Sequence, residues 1–210
     1  MAASTRWNAR VIGQQAHGAA PHLGIDAVVT ASQIVVALQT IRSRNLPPLS
    51  ANVITVGVMR GGDRHNIVAG EMMLEGTIRT FDPEVQDVIE RRMREIFDGI
   101  TKSAGATFTL EFNRSHPLTM NDTALSTRFR PVLERIAGAD RVRISPPETG
   151  AEDFSYFAQQ VPGFYIRIGA VPPGKTSGGH HTPTFYADDA TVPLAMRVMA
   201  GMVLQVVGRR

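Results

Sequence analysis

The spacing of apolar positions changes period several times along this chain, and each change marks an element. Trp7, Ala9, Val11 and Gly13 fall on one side of an alternating run, which predicts a strand from Trp7. Residues 1–5 are small and polar and carry no such pattern. After a loop of small residues at 13–22, Asp26 is placed to cap a helix, with Val28, Ala31, Val35, Leu38 and the alkyl stem of Arg42 on one side. Asn45-Leu46-Pro47-Pro48 ends that helix, because proline has no N–H to continue it. The β-branched run Val53-Ile54-Thr55-Val56 predicts a second strand, residues 61–66 a turn, and residues 71–80 a third strand. Asp82-Pro83 opens a second helix, with Asp as N-cap and Pro in the first turn. Val85, Val88, Ile89, Met93, Ile96, Phe97 and Ile100 hold its period until Gly105, and Phe108, Leu110 and Phe112 alternate in a fourth strand.

The order β-α-β-β-α-β predicts a ferredoxin-like unit, one antiparallel sheet carrying two helices on one face, over residues 7–113. The fold class is therefore α/β, of α+β type in this first part. Residues 114–210 read differently. Asp122 caps a helix through Ala137 that Pro131 kinks or breaks. A short helix follows Phe154 and ends at Pro162-Gly163, and a last one puts Val192, Ala195, Met199, Met202 and Val206 on one face. Strands are scarce here: one at 164–169 and a short one at 141–144. Two strands cannot cover the apolar faces of three helices, so residues 114–210 read as the trailing part of a larger α/β domain.

Composition narrows the function classes. With 22 Lys and Arg against 19 Asp and Glu, the net charge is +3. The densest basic cluster, Arg91, Arg92 and Arg94, alternates with Glu90 and Glu95 on a helix, which is a solvated face and not a phosphate track. An RNA-binding sheet of this topology needs an aromatic stacking platform, and the first strand offers only Trp7. No nucleic-acid partner is expected. No run approaches the ~18 consecutive apolar residues of a membrane span, and the N-terminus lacks a charged start followed by an apolar core. There is no cysteine, hence no disulfide framework and no thiolate. These absences point to a soluble, cytoplasmic protein with no membrane partner.

Chemistry concentrates in Gly179-His180-His181-Thr182-Pro183, two imidazoles before a Thr-Pro turn, with Asp188 and Asp189 opening the last helix. Neutral imidazole is the commonest side-chain ligand of a catalytic divalent metal, but one histidine cannot hold a metal. By residue type alone, His181 is as simply read as a surface histidine.

In five places, in order, the chain resembles the M20 metallopeptidase and amidohydrolase family, in the branch of aminoacylase-like, hippurate and indole-acetyl-amino-acid hydrolases. The residues are 13–22 (Gly-Gln-Gln-Ala-His-Gly-Ala-Ala-Pro-His), Asn66, 75–81 (Glu-Gly-Thr-Ile-Arg-Thr-Phe), 150–154 (Gly-Ala-Glu-Asp-Phe) and His181-Thr182-Pro183. The resemblance implies that residues 7–113 are a lid that also makes a homodimer, and that 114–210 close a catalytic α/β domain binding two divalent metal ions, zinc or manganese. It implies a parent reaction, hydrolysis of the amide bond of an N-acyl amino acid or short peptide. His181 then resembles the last metal ligand. His17 resembles the lid histidine that reaches into the partner subunit's site to stabilise the oxyanion. Asn66 resembles the lid asparagine that meets polar groups of the substrate, and Arg79 the arginine that grips its carboxylate. Glu152 would lie near the metals.

Each has a plainer reading. His17 can be hydrogen-bonded within its own turn, with His22 stabilising the same loop; Asn66 can be an ordinary turn residue, Arg79 an exposed strand arginine, and Glu152 a carboxylate opening a helix. The family's opening segment, which carries a Cys-x-His pair, a Glu-Glu pair and a further His, has no counterpart in these 210 residues. The chain by itself is expected to be inactive. The rival expectation is a non-catalytic dimerisation or binding module of the same descent.

Overall fold

Ala3–Ile12 form the first strand, β1, in the computed structural model, which describes residues 1–208. The strand starts earlier than the apolar alternation indicates. Ser4 and Thr5 are buried in it between two neighbouring strands, and Thr5 Oγ1 accepts a 2.7 Å hydrogen bond from Gln86 Nε2. Small polar residues can enter a core when so bonded, and hydrophobic periodicity does not see them. There follow β2 (Ala16–His17), α1 (Ala27–Thr40), β3 (Asn52–Gly61), β4 (Ile67–Val68), β5 (Glu71–Thr80), α2 (Pro83–Ala104) and β6 (Thr107–His116). The four long strands form one antiparallel sheet in the order β3-β5-β1-β6, and β2 pairs with β4 in a separate two-residue ribbon. This is the split β-α-β-β-α-β arrangement with an added ribbon.

The helix ends follow from capping chemistry. Asp26 Oδ1 accepts from the amides of Val28 and Val29, and Asp82 Oδ1 from Glu84 at 2.8 Å. Gly105, at φ 72°, closes α2 in the left-handed conformation that glycine adopts without a Cβ clash. The core lies between sheet and helices: Trp7, Val11, Leu74 and Ile78 meet Ile34 and Leu38 of α1 and Ile89, Met93 and Phe97 of α2. Trp7 and Phe97 meet edge to face, 6.5 Å between centroids. α1 turns Ala27, Ala31, Ile34 and Leu38 inward, while Val28 and Arg42 are exposed, contrary to the expected face. Apolar residues surround most of α1, so period alone does not fix its rotation.

The chain divides into two units, Met1–Thr119 with Pro147–Tyr156, and Met120–Pro146 with Phe157–Arg210. The later helices are α3 (Thr123–Ala137), α4 (Phe154–Ala158) and α5 (Val192–Val207). α3 runs through Pro131 without a break, capped by Asp122 Oδ1 on Leu125 N. In the second unit α3 and α5 enclose Phe129, Val132, Val198 and Met202, with Phe164 and Ile166 packed against them. α5 faces inward through Val198 and Met202; Val192, Met199 and Val206 of the expected face are exposed. Gly201 lies where α5 comes close to α3: a Cβ there would be 2.6 Å from Ile136 Cδ1 and 3.1 Å from Val132 Cγ1.

Both strands expected in this half are absent as strands. Residues 139–141 make a 3-10 turn and 142–144 are irregular. Residues 164–169 pair with no strand among the described residues. Instead, the Asn121 carboxamide clamps Tyr165: Nδ2 donates to its carbonyl at 2.8 Å and Oδ1 accepts from its N–H at 2.7 Å. One side chain thus supplies the pair of bonds a neighbouring strand would give. The stretch Asp189–Val207, 19 residues, is long and apolar enough to cross a membrane by length and composition, although Thr191, Arg197 and Gln205 interrupt its apolar run.

Candidate functional site

His17 ends β2, where it pairs with Ile67, and is exposed. Its Nδ1 accepts from the amide of Ala19 at 3.0 Å, so the ring proton belongs on Nε2, which is left as a donor. The bond within the turn and an outward function are thus compatible. Gly18 N donates to Asn66 O at 2.8 Å, and a Cβ on Gly18 would sit 2.9 Å from that oxygen. The glycine lets the two loops touch, which brings His17 and Asn66 together. His22 makes no hydrogen bond among the described residues. Its turn is held by the backbone, Leu23 N to Ala20 O and Gly24 N to Pro21 O, and not by the imidazole.

Arg79 lies at the opposite end of the same sheet. Gly13 N donates to Gly70 O just before β5, so the His17 loop leaves the sheet at that end. Arg79 lies nine residue steps along the chain from Gly70, roughly 30 Å at ~3.3 Å per step. Arg79 is half-buried on the face of the sheet turned away from the helices, opposite Ser4 and Val53. Burial first, and then the charge of Arg6, hold its pKa below the usual guanidinium value. The one hydrogen bond of its side chain among the described residues is from Nη1 to Ile78 O.

Glu152 belongs to the first unit and to the Arg79 end of the sheet. Thr119 Oγ1 donates to its carbonyl at 3.5 Å, and Ala2 N donates to Glu148 O and Gly150 O. Its Oε1 accepts from Phe154 N at 3.4 Å, a carboxylate at the opening of α4. His181 belongs to the second unit. It has φ 64°, and no other non-glycine among the described residues has a positive φ. Such backbone strain concentrates at functional sites. His180 instead packs its ring on Phe185, 5.4 Å between centroids. No group of three or more His, Cys, Asp or Glu that could hold a metal occurs among the described residues, so the donors of this chain do not by themselves fit a dinuclear centre. Arg6, which the sequence alone did not single out, lies on the same face as Arg79 by strand parity.

Residues 3–104 match the family model described as the peptidase dimerisation domain, M20 type. The chain is 36% identical over 199 residues to the N-acetyl-L-cysteine deacetylase of Bacillus subtilis, covering 91% of this chain and 45% of that protein. It is 31% identical over 189 residues to the N-acetyldiaminopimelate deacetylase of Exiguobacterium sibiricum, covering 90% of this chain and 50% of the relative. The chain spans about half the length of the curated relatives it matches. Among solved structures, a dinuclear metal-binding peptidase from Bacillus subtilis superimposes with a TM-score of 0.80 at 23% identity, over 100% of this chain and 52% of that one, which shows the shared fold.

Proposed function

We propose, since the chain belongs to the M20 peptidase family through its dimerisation domain at residues 3–104, that it is the lid and closing segment of a metal-dependent amidohydrolase acting on N-acyl amino acids or short peptides. The observation that carries this reading is the likeness to a deacetylase over 91% of the chain, which runs through both units. The residues divide the work. Arg79 grips the substrate carboxylate, for which a guanidinium suits because it donates two parallel hydrogen bonds. Asn66 meets the substrate's polar groups. His17, with its proton on Nε2, stabilises the oxyanion that develops as the amide carbon becomes tetrahedral. His181 contributes one ligand to a pair of zinc or manganese ions, Glu152 stands near them, and the other ligands and the general base come from polypeptide outside these 210 residues. The pair of ions would supply acidification of the attacking water.

A lid histidine in a loop that leaves the sheet roughly 30 Å along β5 from Arg79 cannot serve the same site in one subunit. A second copy solves this. β3 is the edge strand for such pairing: α1 beside it exposes Val29 and Val36, whereas the β6 edge is lined by the ion pairs of Arg114 with Asp87 and Glu90.

Calorimetric titration of the chain with zinc and manganese, alongside assay on N-acetyl amino acids, tests the reading. The expected result is no tightly bound metal pair and no turnover alone. Turnover should follow co-expression with the opening half of the B. subtilis deacetylase and vanish in His181→Ala. Two bound metals with hydrolysis by the chain alone would overturn the division of the centre. That no three such ligands group among the described residues also favours a second reading, a non-catalytic dimerisation module. A dimer in sedimentation that no complementing segment activates would select it.

A further inference from the structure

We infer that Arg6 is the second arm of an anion clamp with Arg79, and that the clamp selects acyl amino acids whose side chain carries a second carboxylate. The register is the first support. Ser4 pairs with Arg79 and Arg6 with Thr77, so Arg6 and Arg79 stand at a diagonal on adjacent strands of one face. Diagonal positions lie about 7–8 Å apart, within reach of two long side chains. That face is the one without helices: Thr5 and Trp7, on the alternate positions of β1, are buried under α1 and α2, while Arg6 is exposed.

Charge accounting is the second support. Arg10 is paired with Glu71, and Arg114 with Asp87 and Glu90. Arg6 and Arg79 have no ion pair within 4 Å among the described residues, although Glu75 and Glu111 occupy the other diagonals from Arg6. The register therefore sets two arginines on one diagonal of a strand pair, neither in an ion pair among the described residues, and the pKa of the half-buried Arg79 is lowered first by burial and then by repulsion from the Arg6 charge. An anion placed between them removes that repulsion. A dicarboxylate satisfies both arms: its main-chain carboxylate on the half-buried Arg79, its side-chain carboxylate on the exposed Arg6.

The clamp rests on the reading of Arg79 given above, and the experiment separates the two. N-acetyl-L-glutamate and its neutral isostere N-acetyl-L-glutamine are titrated into the chain, with ¹⁵N-labelled arginine side chains observed by NMR. The glutamate compound should bind about two- to fivefold more tightly, the range of an exposed charge pair, and should shift the Nε–H signals of both arginines. Arg6→Gln should abolish that preference and leave N-acetyl-L-glutamine binding as it was. Arg79→Gln should weaken both ligands. A preference that survives Arg6→Gln, or no preference in the unsubstituted chain, overturns the clamp while leaving Arg79 its role. Binding of both ligands unaffected by Arg79→Gln overturns the carboxylate role of Arg79 and the clamp with it. Arg6 is solvent-facing, so its substitution tests recognition and not folding.

Discussion

At the scale of single residues, some of the sequence could be read by rule and some only by resemblance. Asp26, Asp82 and Asp122 were legible as caps because capping needs only a short carboxylate one position before a helix. Asp82→Ala should therefore lower stability by about 1 kcal/mol in urea unfolding. Gly76 was legible only as part of a familiar string. Its reason is the pairing Trp7↔Gly76: a Cβ there would lie 1.9 Å from Thr55 O and 2.6 Å from two indole carbons of Trp7. That contact joins residues far apart in sequence, so no local pattern reveals it. Gly76→Ala should cost about 1–3 kcal/mol, since backbone and a packed indole cannot both yield. An unchanged denaturation midpoint would remove this explanation of the glycine. Of the candidate site, Asn66 lies in a turn as expected, whereas His17, expected in a loop, closes the two-residue strand β2, and their contact through Gly18 was visible only in three dimensions.

At the scale of elements, the strongly amphipathic α2 was read to its ends, while the faces of α1 and α5 were read only in part: Ala31, Leu38 and Met202 are buried as expected, but Val28, Arg42, Val192, Met199 and Val206 are exposed. Both are apolar around most of their circumference, so the pattern carries little information on rotation, and close approach decides instead: Ala27 and Ala31 on α1, Gly201 on α5. A paired substitution tests this for α5. Val198→Asp should destabilise the second unit by about 3 kcal/mol or more, because it buries a charge against Phe129 and Val132. Met199→Asp, one residue on and exposed, should change stability by less than about 0.5 kcal/mol. Equal effects would show that the helix is not rotated as described. The stretch 164–169 illustrates a different loss. Its sequence favours a strand, but a strand is defined by a neighbour, and here the Asn121 carboxamide bonds Tyr165 where a strand would. Asn121→Ala should cost about 0.5–1.5 kcal/mol, since it removes this solvent-accessible partner from both backbone groups of Tyr165. Hydrogen exchange at the Tyr165 amide would report it directly.

At the scale of the whole molecule, the decisive quantity is the length of a strand. β5 holds Arg79 roughly 30 Å from the loop that carries His17, and the antiparallel sheet does not bend to close that distance. If both residues serve one reaction, they do so from two copies, and each copy must then contribute to two sites. This has a measurable consequence in the complemented enzyme. His17→Ala alone should reduce turnover by about 10²–10³, the usual loss of an oxyanion donor, and His181→Ala alone should abolish it. Mixing the two inactive variants under conditions of subunit exchange should restore activity. Each mixed dimer then holds one site with the His17 of one subunit and the His181 of the other, and one site with neither. With random pairing, half of the dimers are mixed, each with one working site in two, so recovery should approach about a quarter of the unsubstituted rate. Recovery that fails to appear, with exchange confirmed by a tagged subunit, would place His17 and His181 in the service of the same subunit and remove the need for a partner in the chemistry.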